Sequence, residues 1–199
     1  MTTGQDTLGH IKGTAALEFL VWYREEYGRD RLAALLDRLR PEDRSTFDLQ
    51  RDTLGLVPSM WYPAALIHRA LDEVVRGLSL DQAEQLARRA GRAMADAKLR
   101  GLQRVLFSLI VTPEKYCKFV QRAWDLNYDN GTVEQRILSP MCHEGLVSAW
   151  RSHHPLLCDL HGELKMELYR RMGCKDVREG HRRCISRGDT VCGSTITWR

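Results

Sequence analysis

The hydrophobic positions in the first two thirds of the chain recur with the spacing of amphipathic helices. Apolar residues share one face over 14–27, and Gly28 suits a left-handed helix end. Ser79 and Gln82 form a capping-box pair at the start of the longest predicted helix, about 80–110. Further helices are predicted over 29–40, 61–76 and 155–172. This part of the chain is therefore predicted to be mainly helical.

The pattern then changes to a period of two. Polar and apolar residues alternate over 123–128 and 133–137, on either side of the turn sequence Asp129-Asn130-Gly131, which predicts a β-hairpin. The tail repeats this pattern over 177–186 and 191–198 around Gly188. Helices combined with hairpins predict an α+β fold, in which a helical layer packs on a small antiparallel sheet of about four strands.

Composition and charge narrow the class of protein. Residues 1–12 are polar and are expected to form a flexible N-terminal arm, whereas 13–199 contain no linker or repeat and are expected to form a single domain. No apolar run approaches the roughly 20 residues of a membrane helix, and no signal peptide is visible, so a cytoplasmic protein is expected. A net charge of +4, with basic and acidic residues interspersed, argues against a nucleic-acid partner.

The chain contains six cysteines, although disulfides are rare in the reducing compartment that is expected for it. Cys158, Cys184 and Cys192, together with His181, provide the thiolate and imidazole ligands that zinc prefers in a tetrahedron. Four protein ligands leave no position for water, so such a zinc would be structural. It would join the helix that begins near Pro155 to the terminal hairpin.

The spacing leaves other ligand sets open, because it is not a tandem pair of C-x-x-C motifs. The plain alternative is a group of buried cysteines and a surface histidine without a metal. Cys174 competes with Cys158, and Glu179 competes with His181, since residues two apart on a strand face the same side. Other candidates near enough in sequence are His161, Cys142 and His143.

The segment that carries these residues resembles the 4-vinyl reductase domain family. The matching residues are Cys158 to Gly162, Glu179 to Cys184, Gly188, Asp189 and Cys192 to Trp198. The family includes the sensory domains of phenol-responsive bacterial activators, and its fold relatives include TRAPP vesicle-tethering subunits and haem-based nitric-oxide sensors. In the sensory domains three cysteines and an acidic residue hold a structural zinc. Here the three cysteines match, whereas His181 stands where the family usually has Glu.

The first half of the chain, with its Trp61-Tyr62-Pro63 element, is similar to a paralogous group of myxobacterial proteins of this length. That similarity indicates no activity. The resemblance of the C-terminal third implies a cytosolic sensory or binding module of the ligand-binding type, which signals through a regulatory protein partner or as a homodimer.

The resemblance also implies a cavity between helices and sheet for a small hydrophobic or aromatic molecule. The candidate lining residues are Trp61, Tyr62, His68, Phe107, Tyr116, Trp124 and Trp150. The alternative is that these side chains are ordinary core. Haem is expected to be an unlikely cofactor, because the residues around His143, His153 and His154 do not match the pattern around the haem histidine of the nitric-oxide sensors.

Two other functions compete with sensing. A scaffold or interaction subunit with a filled core is favoured by the small residues between Ala83 and Ala97, which would permit close helix contact. An enzyme acting on a pigment-like substrate is less favoured, because the sequence lacks G-x-S-x-G, Walker, Rossmann and H-E-x-x-H motifs.

Overall fold

The computed structural model describes residues 6–98 and 111–199. The helices are α1 (Gly13–Tyr27), α2 (Arg29–Leu36), α3 (Pro41–Arg44), α4 (Ala64–Val75), α5 (Leu80–Lys98), α6 (Pro113–Asp125) and α7 (Pro155–Arg171). The strands are β1 (His10–Lys12), β2 (Trp61–Pro63), β3 (Thr132–Ser139), β4 (Cys142–Ser148), β5 (Arg178–Arg183) and β6 (Cys192–Thr197). Helices with antiparallel sheets confirm the predicted α+β class. Within these ranges, no helix combines the length and apolar character that a bilayer crossing requires.

Local capping sets the starts of helices α5, α6 and α7. At α5, the Ser79 amide donates to Gln82 Oε1 at 2.9 Å, and the Gln82 amide donates to Ser79 Oγ at 3.2 Å, which confirms the capping box. At α6, Thr112 Oγ1 accepts a hydrogen bond from the Lys115 amide at 3.3 Å. At α7, the side chain of His154 accepts from the first turn. These short-range bonds satisfy amides that a helix N-terminus leaves unpaired.

The main sheet has four antiparallel strands in the order β3-β4-β6-β5, so the predicted strand number is confirmed. The terminal hairpin is also confirmed, because β5 pairs with β6. A short 3-10 turn at Ile185–Arg187 follows β5. β6 lies between β4 and β5 and pairs with both, although it follows both in the chain.

The first predicted hairpin is wrong in its first strand. Residues 123–125 end helix α6, and β3 pairs with β4 instead. Alternation would place Trp124, Leu126 and Tyr128 on one face, but Leu126 is 71% exposed while Trp124 and Tyr128 are buried and stack at 4.4 Å. Trp124 and Tyr128 are four residues apart and both buried, as expected for neighbours on one helical turn. The segment therefore follows helical spacing and not the spacing of a strand.

The N-terminal segment contributes to a second, smaller sheet. His10–Lys12, which the sequence assigned to a flexible arm, form β1, pair with β2 and bury Ile11 in the core. Trp61–Pro63, predicted as the start of a helix, form β2, and helix α4 begins only at Ala64.

Helices α5 and α7 pack closely along their length. A Cβ atom on Gly91 would lie 2.7 Å from the Leu160 carbonyl oxygen, a distance that real Cβ atoms do not show, so only glycine allows this approach. Ala87 and Ala90 are fully buried in the core. Two of the small residues predicted to permit helix contact are therefore used within the chain, whereas Ala97 is exposed, which weakens the sequence support for a scaffold surface.

Candidate metal centre and adjoining cavity

Four side chains converge at the start of α7 in an arrangement that suits a metal ion. One ligand atom each from His153, Cys158, Cys184 and Cys192 lies within 4.8 Å of all the others. The three cysteines are buried and form no disulfide. Cys184 Sγ and His153 Nε2 are 3.5 Å apart. These four residues are called the metal cluster below.

Two separate elements position the metal cluster. His153 precedes α7, and Cys158 lies in the first turns of that helix, where its amide donates to the His154 carbonyl. Cys184 follows β5, and its amide donates to the Asp189 carboxylate at 2.7 Å. Cys192 begins β6. A metal at this point would therefore join α7 to the terminal hairpin.

The donor chemistry fits zinc. Zinc binds sulfur at about 2.3 Å and imidazole nitrogen at about 2.0–2.1 Å, so the ligand atoms of a tetrahedral site lie roughly 3.5 to 3.8 Å apart. Because the ligand atoms of the cluster already lie within 4.8 Å of one another, only a small inward movement of the side chains would bring them to the separations of a zinc site. Three thiolates with one imidazole complete the tetrahedron, which corresponds to a structural rather than a catalytic site.

Electrostatics in the metal-free cluster oppose ionisation of Cys158. The hydrogen bond between its thiol and the Cys192 sulfur raises the pKa of Cys158, and burial raises it further. The Ile185 amide donates to Cys192 Sγ at 3.3 Å, a contact that would stabilise a thiolate. A bound dication reverses this balance, because a coordinating thiol is deprotonated outright.

His181 is not part of the metal cluster, in contrast to the sequence expectation, and His153 lies there instead. His181 is exposed, with a positive φ of 49° at an irregularity in the β5–β6 register between Gly180 and Arg183. Such a bulge breaks the alternation of strand faces by which Glu179 was an alternative to His181. The sequence signal for His153 was its position just before Pro155, on the same helix start as Cys158.

The two alternative ligands also lie elsewhere. Glu179 lines the cavity beside the metal cluster, with one carboxylate oxygen 3.9 Å from the Arg182 guanidinium. Cys174 packs against a separate small core that contains Met166 and Tyr169. Neither residue is a member of the four-residue group.

A cavity of about 100 Å³ adjoins the metal cluster between α6, α7 and the four-stranded sheet. Cys158 and Cys192 belong to both the cluster and the cavity wall. Three of the predicted lining residues, Tyr116, Trp124 and Trp150, form its aromatic wall. Trp124 and Trp150 meet edge to face, with ring centroids 4.8 Å apart.

Three other predicted lining residues, Trp61, Tyr62 and His68, do not line this cavity. Trp61 lies on β2 under the Lys12 ammonium, 4.4 Å from its ring centroid. The Tyr62 hydroxyl accepts a hydrogen bond from the Val57 amide at 2.8 Å. His68 lies 3.1 Å from the Ser152 carbonyl oxygen. Phe107 lies outside the described residues.

The sequence did not reveal the polar wall of this cavity. The polar lining residues that it missed are Gln135, His161, Lys165, Arg182 and Ser194. Burial lowers the pKa of Lys165 to about 8, and its ammonium donates to Ser194 Oγ at 3.2 Å and to the Ser194 carbonyl at 3.4 Å. Arg182 is paired with Asp159, and Glu84 lies 3.4 Å away.

A second, narrower cavity of about 40 Å³ lies between α1, α4, α5 and α7 and is mostly apolar. His161 lines both cavities. Its Nε2 lies 2.6 Å from the Tyr128 hydroxyl, and burial raises the pKa of that hydroxyl. The imidazole of His161 therefore separates the two spaces.

Comparison with solved structures identifies similar folds. An H-NOX protein from S. oneidensis in the Fe(II)NO state aligns with a TM-score of 0.67 at 14% identity, over 94% of this chain and 99% of the other. The Fe(II) unliganded H-NOX protein from K. algicida aligns with a TM-score of 0.67 at 9% identity, over 94% and 96%. A structure from work on haem distortion in the H-NOX family gives 0.65 at 12% identity, over 94% of each chain. No family model and no curated protein sequence match this chain.

These likenesses show that the chain has an H-NOX-like fold. The expected relation to the fold of haem-based nitric-oxide sensors is therefore confirmed, whereas membership of the 4-vinyl reductase family is not shown. The expectation that haem is an unlikely cofactor is wrong as stated, because the similar structures include haem proteins. That expectation depended only on the residues around His143, His153 and His154, which are too small a part of the chain to exclude haem.

Proposed function

We propose that this protein is a cytosolic sensory or ligand-binding module that takes a small hydrophobic or aromatic molecule into the cavity beside the metal cluster. In this proposal His153, Cys158, Cys184 and Cys192 hold a structural zinc. The observation that carries the proposal is the convergence of these four ligand atoms, within 4.8 Å of one another, on the wall of an aromatic cavity. The H-NOX-like fold supports it.

The shared wall gives the zinc a function in ligand binding. Cys158 and Cys192 come from the two elements that face each other across the cavity, α7 and β6. A metal that fixes their sulfur atoms would fix the separation of these elements and so the width of the cavity. Structural zinc contributes its binding energy directly to folding.

Metal analysis of the purified protein tests the site. We expect about one zinc per chain, because structural sites bind tightly, and less than about half an equivalent would contradict the proposal. The Cys192→Ser variant should lose the metal. The matched control is Cys174→Ser, since Cys174 is a partly buried cysteine outside the metal cluster; it should keep the metal.

Native mass spectrometry tests the sensory part. A small molecule that copurifies and is released on denaturation would support ligand binding. We further propose that the bound state is signalled through a regulatory protein partner or through a homodimer. A ligand-dependent change in oligomeric state would support the homodimer, and a monomer in both states would leave the partner as the route.

Haem is a second candidate ligand, favoured by the fold and by His161. An imidazole inside an apolar pocket is a usual haem ligand, and His161 lines both cavities. The cavities of about 100 and 40 Å³ are smaller than a porphyrin, so their walls would have to separate for haem to enter.

Titration with haem tests this second candidate by absorption spectroscopy. A sharp Soret band at one equivalent, lost in His161→Ala and kept in His181→Ala, would support haem binding. His181 is the control because it is exposed and away from the cavity. An unchanged spectrum of free haem would rule it out.

A further inference from the structure

Lys165 stands out among the polar residues of the aromatic cavity because no carboxylate in the described structure bonds directly to its ammonium. Glu179, on the same wall, acts on its charge from beyond ion-pair distance. Its ammonium contacts only the hydroxyl and the carbonyl oxygen of Ser194. No carboxylate in the described ranges forms an ion pair with it. A charge held in apolar surroundings is costly unless a counter-charge offsets it.

The other charges on this wall already have partners. Arg182 is paired with Asp159 and approaches Glu84 and Glu179 at 3.4 and 3.9 Å. Lys165 is therefore the cation of the cavity whose positive charge is least compensated. Burial lowers its pKa to about 8, in agreement with this environment.

The size of the cavity limits which ligand could bring a negative charge to Lys165. At about 100 Å³ it is somewhat smaller than the engineered cavity of about 150 Å³ that binds benzene, so it suits at most one ring. Tyr116, Trp124 and Trp150 offer faces and edges for such a ring.

We propose that this cavity binds a single-ring aromatic carboxylate, with its anionic group on the Lys165 ammonium and its ring among Tyr116, Trp124 and Trp150. The inference rests on the proposed function, since it names the ligand class of the same cavity. It assigns to Lys165 the selection of an acid over a neutral aromatic compound of the same size. A carboxylate at this place gives the ammonium a directly hydrogen-bonded counter-charge, which Glu179 supplies only at longer range.

Isothermal titration with sodium benzoate and with benzyl alcohol, a neutral molecule of similar size, tests the inference. The unmodified protein should bind benzoate at least tenfold more tightly than benzyl alcohol. Lys165→Met should weaken benzoate binding at least tenfold and leave benzyl alcohol binding unchanged. Lys118→Met is the matched control, because Lys118 is exposed and does not line the cavity; it should behave like the unmodified protein.

The outcomes separate this inference from the proposed function. Equal or tighter binding of benzyl alcohol would overturn the carboxylate assignment and leave a neutral ligand for the cavity. A Lys165→Met protein that keeps its preference for benzoate would overturn the role assigned to Lys165. Binding of neither probe would overturn both. Zinc content and circular dichroism verify that Lys165→Met is folded. The preference of the unmodified protein for benzoate or for benzyl alcohol tests the ligand class without any variant.

Discussion

A cysteine–histidine group lies beside each end of helix α7, and the two groups differ in how many donor atoms converge. At its start, the metal cluster brings four ligand atoms within 4.8 Å of one another. Near its end, Cys117 Sγ and the Tyr169 hydroxyl both approach His143 Nδ1, at 3.3 and 2.9 Å. Cys117, His143 and Tyr169 are called the His143 group. Neighbouring thiol and imidazole groups therefore occur in both places, but only one place has a complete ligand set.

The His143 group has the properties of a core hydrogen-bond network. The Cys117 thiol and the Tyr169 hydroxyl both lie within hydrogen-bond distance of one ring nitrogen, Nδ1. The other ring nitrogen is Nε2. That nitrogen is buried without a partner among the described residues, and His143 is 1% exposed. The ring of Trp198 lies against it edge to face at 4.7 Å. Such a group stabilises packing and has no set of convergent thiolates for a metal.

The largest expected effect separates the two groups by cysteine replacement. Cys184→Ser should lose the bound zinc and lower the free energy of unfolding by more than about 3 kcal/mol, since metal binding is coupled to folding. Cys117→Ser should keep the zinc and cost about 1 kcal/mol, because serine still donates to His143. Denaturant unfolding with metal analysis measures both. Equal losses would show that the two groups do not differ in this way.

The next effect concerns the histidine of the metal cluster. His153→Ala should reduce zinc affinity at least tenfold, because it removes one of four ligands, whereas His181→Ala should leave affinity unchanged. Competition with a chromophoric chelator measures the affinities. The reverse result would return His181 to the ligand set that the sequence suggested.

A smaller effect is expected at the opposite end of α7. Tyr169→Phe removes the hydroxyl that lies 2.9 Å from His143 Nδ1 and should cost about 0.5 to 1.5 kcal/mol of unfolding free energy. Zinc content should not change. A Tyr169→Phe protein that loses zinc would show that the two ends of the helix are coupled.

The smallest effect is a pH dependence of the His143 group. Burial lowers the pKa of His143 below its ordinary value of about 6.5, so the folded protein favours the neutral ring. Below about pH 6.5 the unfolded chain then binds more protons than the folded one, and stability falls as pH falls. NMR titration should show His143 neutral at pH 6.5, and His143→Phe should flatten the acid side of the stability profile. A pKa at or above 6.5 would contradict this.

Sequence patterns predicted the features that depend on short-range order. The capping pair at Ser79 and Gln82 and the terminal hairpin were predictable because their determinants lie a few residues apart. Cys158, Cys184 and Cys192, which the sequence grouped, lie close together in the fold, since a helix start and a hairpin are simple frames on which to place ligands. For such features, spacing along the chain translates directly into spacing in the fold.

The remaining features depend on contacts that spacing does not contain. One irregularity in β5 removed His181 from the ligand set, and Gly180 is the one sequence signal beside it, since a glycine inside a strand often marks a bulge. The alternation over 123–128 is compatible with a strand and also with the end of a helix. The packing of Trp124 on Tyr128 decides for the helix end, and the sequence pattern does not contain that contact. The polar wall with Lys165 and Gln135 combines α7 with β3, two elements whose facing sides only the tertiary fold brings together.

The position of β6 has a consequence for the order in which the protein assembles during synthesis. Because β4 and β5 both pair with β6, neither has its full set of partners until residues 192–197 have left the ribosome. The same segment delivers Cys192, so the sheet and the metal cluster are completed by one late event. Until then, the nascent chain exposes strand edges and free thiols, and a zinc ion that captured Cys192 would favour the closed sheet over the open one.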